Sequence, residues 1–235
     1  MVSGNGNIRI VYRLEGTRIV NLKYGDLVQV GPHLFLCGDV MQDDYKHLVS
    51  LGEAHLIHTD PPWNQAITTT FHKWVAKQPP VFDDLMERTA EALVYAAGGY
   101  VFVDMGVSGT PTISSAMERR GMTTQNVFTV YYGSNNTPRT MLCLHARNEP
   151  LLPVVDSPDG TEGEQLARWV MSQYGKRDSV FLDLFIGMGW YLDHALPAGM
   201  IVRGMEINPE RLGKCVAKAS KKLKVDPVLV RNIKE

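Results

Sequence analysis

The segment "HTDPPWNQ", residues 58–65, combines a carboxylate, two prolines and a tryptophan at the end of an apolar run. Pro61 and Pro62 remove two backbone donors and fix φ, so Asp60 is followed by a stiff corner that is not helical. Trp63 then projects from a loop. A rigid acid beside a flat aromatic ring suits the binding of a planar polar ligand. It equally suits an ordinary turn with a buried tryptophan.

A second segment, "FLDLFIGMGW", places an acid at the end of an apolar run, followed by two glycines. Gly187 and Gly189 allow the backbone to approach a ligand closely, although two glycines at a strand-helix turn are as often packing devices. Glu206 ends the next apolar run, where an acid can bind both hydroxyls of a ribose. Leu192 stands where the dinucleotide fingerprint has its third glycine. The pattern therefore favours a nucleoside with a compact charged tail over a pyrophosphate.

Apolar runs that alternate with helical patterns predict the elements that position these residues. Strands are predicted at "HLFLCGD", "AHLIHT", "YVFVD", "NVFTVYYG", "TMLCLHAR", "SVFLDLF" and "IVRGMEIN". Helices are predicted at "QDDYKHLVSLG", "TISSAMERRG", "YLDHALPAG", "PERLGKCVAKASKKLK" and over about 83–97 and 164–174. This order is typical of an α/β fold: a doubly wound, mostly parallel, Rossmann-like sheet with helices on both faces. Ligands bind beyond the carboxyl ends of such strands, where Asp39, Asp60 and residues 183–189 are placed.

The start of the chain has a different pattern from the rest. "IRIVYRLEGTRIVNLKYGDLVQVG" alternates apolar and polar residues around Glu15-Gly16, which predicts a small β arm over residues 1–23. Residues 24–235 are then expected to form a single domain, a length that allows a sizeable core.

Composition and charge restrict the classes of function. Lys and Arg total 24 against 25 acidic residues, a formal net charge of −1. Proteins that grip DNA alone are usually basic, so affinity for nucleic acid must come from local patches or from a partner. The three cysteines lack metal-site spacing, and no metal is expected. No apolar run approaches the ~20 residues of a membrane span, and no secretory signal is visible, so we expect a cytoplasmic protein.

The motifs "DPPW", "LDLFIGMG" and "GMEINPERL" together resemble the amino-methyltransferases that act on exocyclic amines of DNA bases. That family has the catalytic motif (Asp/Asn/Ser)-Pro-Pro-(Tyr/Phe/Trp) and the cofactor loop Asp-x-Phe-x-Gly-x-Gly. The segment "YGDLVQVGPHLFLCGDV" is similar to phage and prophage members, which implies the cytoplasm of a bacterial host. The motif order matches the circularly permuted β group. The resemblance covers roughly Tyr24 to Leu223 and implies one methyltransferase domain over 24–235.

The resemblance implies transfer of a methyl group from S-adenosylmethionine to the exocyclic amine of adenine in duplex DNA, with the target base flipped out. The Asp60 carboxylate and the Pro61 carbonyl would accept the two N–H hydrogens of the amine. Pro62 would stiffen the corner, and Trp63 would stack on the base. Within the family, a motif that begins with aspartate and has tryptophan in fourth place favours adenine as the target base. The resemblance also implies a set of residues around the cofactor: Asp39 at the adenine amine, Glu206 at the ribose, and Asp60, Asp183, Phe185, Gly187 and Gly189 at the methionine portion.

Little of the chain is left for recognition of the DNA target. We expect a very short recognition region within about 64–80 and 133–150. The segment "NQAITTTFHKWVAKQPP" is predicted as a loop whose aromatic and basic side chains contact nucleic acid. An equal alternative is a mobile lid with Trp74 in the core. The residues expected at the nucleic acid are Phe71, His72, Lys73, Lys77 and, at a phosphate, Arg139.

Departures from the family pattern leave alternatives open. Leu184 replaces a proline of the cofactor loop, "MGWY" replaces small hydroxyl residues, and "TEGE" lacks a usual lysine. A non-catalytic or partner-dependent subunit of a heteromeric complex is one alternative, and an enzyme acting on cytosine N4 or RNA is another. The short recognition region also favours a homodimer or an accessory DNA-binding subunit.

Overall fold

The computed structural model describes residues 12–13, 22–132, 137–145, 158 and 163–233. The strands are β1 (Tyr12–Arg13), β2 (Asp26–Val30), β3 (His33–Cys37), β4 (Ala54–Thr59), β5 (Ala97–Met105), β6 (Thr123–Tyr132), β7 (Thr137–His145), β8 (Val180–Asp183), β9 (Ile201–Glu206) and β10 (Val228–Asn232). The α-helices are α1 (Lys46–Val49), α2 (Gln65–Trp74), α3 (Phe82–Ala96), α4 (Thr110–Glu118), α5 (Gly163–Tyr174), α6 (Leu192–Ala195) and α7 (Pro209–Leu223). Most of the predicted arm, with its turn at Glu15-Gly16, lies outside the described residues.

The described strands form one sheet in the order β1-β10-β2-β3-β9-β8-β4-β5-β7-β6. The five central strands, β3, β9, β8, β4 and β5, are parallel, with Leu36 beside Met205 and Ile57 beside Leu182. Both flanks are antiparallel, because β2-β3 and β6-β7 pair directly with their neighbours in sequence. The predicted α/β class is confirmed. The sheet, however, is mixed rather than mostly parallel.

Helices pack on both faces of the sheet, as the alternation of strands and helices predicted. The core on one face joins α5, α6 and α7 to side chains such as Phe35, Phe102 and Phe181. The other core joins α1, α3 and α4 to side chains such as Leu36 and Ile57. Neighbouring residues such as Phe35 and Leu36 therefore enter opposite cores, as the two-residue period of a strand requires. Burial on both faces explains the near-continuous apolar runs of the central strands.

Helix α2 lies where the sequence predicted a loop. The side chain of Asn64 caps it by accepting a 3.0 Å hydrogen bond from the backbone N–H of Ile67. The hydroxyls of Thr68, Thr69 and Thr70 donate to carbonyls four residues earlier in the chain. These polar residues weaken the apolar periodicity that signals a helix. Trp74, at the end of α2, is 54% exposed rather than buried in the core.

Three other elements differ from the prediction. Residues 40–49 form a 3₁₀ turn, Val40–Gln42, and then α1, because Asp43 between them adopts a left-handed conformation with φ of 59°. Gly98 and Gly99 lie in β5 instead of ending α3. A Cβ atom on Gly99 would lie 2.0 Å from the carbonyl oxygen of His55, so strand β4 approaches too closely for any other residue. Strand β10, which the sequence did not predict, pairs antiparallel with β1 and β2.

No helix in the described part of the chain has the length and apolar content needed to cross a membrane. Across the same residues, no group of three His, Cys, Asp or Glu side chains is arranged to hold a metal ion.

Candidate active site

The candidate site lies where the direction of the sheet's connections reverses. From β4 the chain passes through α2 and α3 to the neighbouring strand β5, and from β8 it passes through α6 to β9 on the other side. The carboxyl ends of β4 and β8 are therefore neighbours at a topological switch point, where α/β sheets bind their ligands. The hydroxyl of Thr59 donates a 3.0 Å hydrogen bond to Asp183 Oδ1 across this point. The two sequence motifs are thus in contact.

A cavity of about 230 Å³ opens above these strand ends. It brings together the four residues of the "DPPW" corner and two residues predicted on the cofactor side, Phe185 and Glu206. Its lining is Asp60, Pro61, Pro62, Trp63, Ile67, Phe71, His72, Phe185, Glu206, Ile207 and Arg211. The pocket therefore holds two carboxylates and one guanidinium among apolar and aromatic surfaces, which is typical of sites for small organic ligands.

The aspartate and the tryptophan of the corner are hydrogen-bonded to each other. Trp63 Nε1 donates to Asp60 Oδ1 at 2.7 Å. Asp60 is accessible to solvent through the cavity but is otherwise surrounded by protein. This desolvation raises the pKa of Asp60 to about 6, opposed by the hydrogen bond from Trp63 and by the positive charges of Arg139 and Arg211. A carboxylate has about four acceptor positions, so the indole leaves it able to accept from a ligand amine.

A buried ion pair lies next to this corner. Arg139 Nη2, on β7, is 2.9 Å from Asp104 Oδ2, on β5, and both side chains are almost fully buried. The guanidinium carbon of Arg139 lies 5.6 Å from the ring centre of Trp63. Burial and the Asp60 carboxylate raise the pKa of Asp104, and Arg139 lowers it. Arg139 was expected at a DNA phosphate, but the structure places its charge inside the protein against Asp104.

The glycine-rich loop follows Asp183 at the end of β8. Asp183 accepts hydrogen bonds from Thr59 and from the backbone N–H of Phe185, and burial raises its pKa to about 7. Gly187 and Gly189 have φ of 54° and 78°, a region that favours glycine. A Cβ atom on Gly189 would lie 2.7 Å from Cys215 Sγ in α7, so this glycine is needed for packing.

Arg211 of α7 lies between the acid Glu206 and the aromatic side chains of α2. Its Nε lies 3.6 Å from Glu206 Oε2, and a Cβ atom on Gly187 would lie 2.7 Å from its Nη2. Its guanidinium carbon also lies 5.5 Å and 5.9 Å from the ring centres of Phe71 and Trp74. Burial raises the pKa of Glu206, whereas the Asn208 N–H and Arg211 lower it. The sequence analysis assigned no role to Arg211, although it lies in the segment "GMEINPERL", five residues after the acid.

Asp39 lies at the end of β3, the strand beside β9, so it neighbours Glu206 across the sheet edge. It caps the 3₁₀ turn by accepting from the N–H of Met41. Its other oxygen is 3.0 Å from Lys77 Nζ, which lies 3.7 Å from the ring centre of Tyr24. A second, more open cavity of about 690 Å³ adjoins these residues and shares His72 with the first. Lys77, expected at nucleic acid, is therefore paired with Asp39.

The remaining residues expected at nucleic acid lie along α2. His72 is buried, with Nδ1 2.9 Å from the carbonyl oxygen of Thr68. Phe71 contacts Trp74 edge to face, with ring centres 5.0 Å apart. Lys73 is exposed. Ile67, Phe71 and His72 of α2 thus form one wall of the pocket, whereas Lys73 and Trp74 are not among its lining residues.

His58 and Tyr191 form a buried pair beneath the two motifs. The Tyr191 hydroxyl lies 2.8 Å from His58 Nε2, and neither side chain reaches the cavity lining. Burial lowers the pKa of His58 to about 3, so the imidazole is neutral. The pair is expected to fix the end of β4 against the loop after β8. The sequence did not indicate Tyr191, since only the fold brings it to β4.

No family model matches the sequence, and no curated protein matches it. Solved structures do match it. M1.HpyAVI is 15% identical, with a TM-score of 0.58 over 81% of this chain and 98% of its own. TTHA0409 of Thermus thermophilus, described as a DNA modification methylase and solved with S-adenosyl-L-methionine, is 16% identical, with a TM-score of 0.59 over 81% and 94%. The chain has the fold of DNA methyltransferases. The PvuII DNA methyltransferase, which is cytosine-N4-specific, is 12% identical, with a TM-score of 0.57 over 86% and 94%.

The methyltransferase fold agrees with the class that the motifs resembled. Each of these solved chains is covered almost completely, so the likeness extends over a whole domain. Identities of 12–16% relate the folds and leave the target base to be inferred from the site itself.

Proposed function

We propose that the protein is an S-adenosylmethionine-dependent methyltransferase that acts on the exocyclic amine of adenine in DNA. The observation that supports this most directly is the cavity at the switch point. It holds the Asp60-Trp63 corner and the buried acid Glu206 within one space, so an acceptor for an amine and a partner for ribose hydroxyls face the same ligand volume.

The residues present fit the cofactor. Glu206 would accept from the ribose hydroxyls, and Asp39, on the neighbouring strand, from the adenine amine. Phe185 and Ile207 supply apolar lining beside Glu206. Gly187, with a left-handed φ of 54°, lets the loop pass close to Arg211 of the pocket. When bound, S-adenosylmethionine supplies a methyl group on a sulfonium, which needs a nucleophile in line behind it.

An exocyclic base amine is a poor nucleophile because its lone pair is delocalised into the ring. Asp60 and the carbonyl of Pro61 would accept its two N–H hydrogens and so localise the lone pair on nitrogen. The nitrogen would form a bond to the methyl carbon while the methyl–sulfur bond breaks with its electron pair left on sulfur, and it would then lose one proton to the Asp60 carboxylate. Pro61 and Pro62 hold these acceptors in place before the base arrives, which is electrostatic preorganisation. Trp63, fixed by its bond to Asp60, would stack on the flipped base.

DNA contacts are proposed at the outer edge of the pocket. Phe71 and the exposed ring of Trp74 offer stacking surfaces for bases, and the exposed Lys73 is placed for a phosphate. With a net charge of −1, binding to DNA is expected to be weak without a second copy or an accessory subunit. A phage or prophage source is proposed on the resemblance of the motifs alone.

The test is transfer of labelled methyl from S-adenosylmethionine to unmethylated duplex DNA, followed by digestion and separation of the nucleosides. Label in N6-methyl-2′-deoxyadenosine supports the proposal. Label in N4-methyl-2′-deoxycytidine would keep the chemistry and change the base, an outcome made relevant by the fold shared with PvuII methyltransferase. Cofactor binding by calorimetry without label on DNA or RNA would favour a partner-dependent subunit.

A further inference from the structure

Arg139 and Asp104 form a buried pair of ionisable side chains next to the corner. Arg139 is 5% exposed and Asp104 is 2% exposed. Removing two charges from water costs more than their attraction usually returns, so a buried ion pair is weak evidence of stabilisation. Stability alone therefore does not explain the pair. Trp63 and Asp60 of the proposed catalytic corner lie next to it.

The contacts of the pair include the corner. Asp104 Oδ2 pairs with Arg139, whereas Asp104 Oδ1 has no hydrogen-bond partner among the described residues. Holding Arg139 is therefore the contact that this carboxyl group makes. The guanidinium carbon of Arg139 lies 5.6 Å from the centre of the Trp63 ring. Trp63 Nε1 in turn donates to Asp60 Oδ1. Four side chains from three separate segments thus form one row that ends at the acceptor carboxylate.

Gly106 also restricts the position of Trp63. A Cβ atom on Gly106, just after β5, would lie 3.0 Å from Trp63 Cβ and 3.2 Å from Trp63 Cγ. The backbone of Gly106 and the guanidinium of Arg139 therefore both contact the tryptophan. A cation over an indole is attracted by the ring quadrupole, more strongly when it is shielded from water.

We propose that Arg139 is a positioning residue for the reaction: held by Asp104, it fixes the indole of Trp63 against Asp60 and keeps the Asp60 carboxylate ionised as an acceptor. This inference rests on the proposed function, since it assumes that the substrate amine binds at Asp60. It replaces the phosphate contact expected of Arg139, because a guanidinium buried against Asp104 is not placed to meet DNA.

The protonation of Asp60 depends on all the ionisable groups around it. Some of them contact Asp60 or share its cavity, and others act through their electric field. They are His72 of α2, Asp104 of β5, Arg139 of β7, Asp183 and Tyr191 at and after the end of β8, Glu206 of β9 and Arg211 of α7. The two arginines favour the ionised form of Asp60 and the carboxylates oppose it. Arg139 is therefore expected to lower the titration midpoint of Asp60. Burial and the Asp60 carboxylate raise the pKa of Asp104 to about 8, so Asp104 carries little charge while Asp60 titrates.

The experiment uses the indole N–H of Trp63 as a reporter. The chain has four tryptophans, so a ¹⁵N spectrum of the full protein shows at most four indole signals, and Trp63→Phe identifies the one that matters. Because this N–H donates to Asp60, its chemical shift follows the protonation of Asp60. We expect Arg139→Gln to displace the signal and to raise its titration midpoint by about half a pH unit or more. Asp104→Ala, which removes the partner that holds Arg139, is expected to displace the signal. Arg88→Gln, which removes a distant arginine, is the control and should leave both unchanged.

The outcomes separate a positioning role from a merely structural one. A displaced Trp63 signal in both variants, with a raised midpoint in Arg139→Gln, supports the proposal, and Arg139→Lys, which keeps the charge, should restore part of the midpoint. A Trp63 signal and midpoint that match the wild type in folded Arg139→Gln would overturn it. If the Arg139 variants do not fold, Asp104→Ala decides alone, because an unchanged Trp63 signal there also overturns the proposal. The titration uses neither cofactor nor DNA, so failure of the methyltransferase assay is a separate result.

Discussion

Asp60 accepts a 2.7 Å hydrogen bond from the indole nitrogen of Trp63, three residues further along the chain. The two residues that the family resemblance assigns to the amine and to the base ring therefore act on each other before any ligand binds. The indole donates to one carboxylate oxygen and so orients the whole group. The stiff Pro61-Pro62 step between them sets the geometry that makes this bond possible.

The role of this bond can be tested with Trp63→Phe, which keeps a ring for stacking and removes the donor. Loss of a hydrogen bond to a charged group removes about 1.5–3 kcal/mol, so we expect kcat to fall about tenfold or more, while the affinity for S-adenosylmethionine stays within about twofold. Methyl-transfer assays and calorimetry measure the two quantities. A kcat equal to that of the wild type would show that the bond does not orient Asp60.

Activity should depend on pH through Asp60. Its pKa is raised to about 6, and only the ionised carboxylate accepts from both an indole and an amine. The rate is therefore expected to be constant above about pH 7 and to fall tenfold per pH unit well below the pKa. Asp60 and Asp104 are close enough to titrate as a coupled pair, so the profile reports their joint behaviour. A flat profile between about pH 5 and 8 would contradict the assignment of Asp60 as acceptor.

Gly106→Ala tests whether the close approach of Gly106 to Trp63 matters for activity. The added methyl group would meet Trp63 Cβ at 3.0 Å, which is closer than side chains normally pack, so the indole must move by a few tenths of an ångström. We expect kcat to fall about tenfold with little change in the urea midpoint of unfolding. Val107→Ala, at an exposed neighbouring position, is the control and should behave as the wild type. Equal losses in both variants would point to general damage of this segment.

The pair between Lys77 and Asp39 predicts a change in cofactor affinity. If Asp39 binds the adenine amine, Lys77 must give up its 3.0 Å contact first. Removing the lysine removes this competition, and an ion pair of this partly exposed kind contributes about 0–1 kcal/mol. Lys77→Ala is therefore expected to bind S-adenosylmethionine about two- to fivefold more tightly by calorimetry. Lys73→Ala, on the exposed side of α2, is the matched control. Weaker binding by Lys77→Ala alone would mean that Lys77 itself holds the cofactor.

The buried Asp183 predicts a pH dependence of stability. Its pKa in the folded protein is about 7, above the value of roughly 3.9 in an unfolded chain. The stability of the wild type should therefore fall as the pH rises from about 4 to 7, relative to Asp183→Asn, whose amide can still accept from Thr59. We expect the variant to be more stable by about 1–2 kcal/mol at pH 8, with the difference vanishing near pH 4, in urea unfolding without cofactor. A difference that does not change with pH would contradict the raised pKa.

The sequence predicted the residues whose place follows from local pattern. Asp60, Asp183 and Glu206 each end a buried apolar run, so their position at one edge of the sheet followed once those runs were identified as parallel strands. The register between strands could not be predicted in the same way. The contact of Thr59 with Asp183 depends on β4 lying beside β8, although 124 residues separate them in sequence.

Residues missed by the sequence are mostly those whose role depends on packing between distant segments. Arg211 and Tyr191 lie within or beside segments that the resemblance covers, but no role was assigned to them or to Asp104, and only the strand order brings the three to the site. Arg139 was expected on the surface because it follows a polar turn, whereas its partner on β5 draws it inside. Helix α2 was missed because threonines occupy its centre and its cap, Asn64, is also a common turn residue.

In the proposed function, Asp60 is the acceptor that activates a base amine next to the bound cofactor. The most direct test is transfer of tritiated methyl from S-adenosylmethionine to unmethylated duplex DNA by the wild type and by Asp60→Ala, with cofactor affinity measured for both. We predict label on adenine with the wild type, a loss of at least about a thousandfold with the variant, and cofactor binding within a few-fold. Label at similar rates with both proteins would contradict the claim, because the amine would then be activated without Asp60.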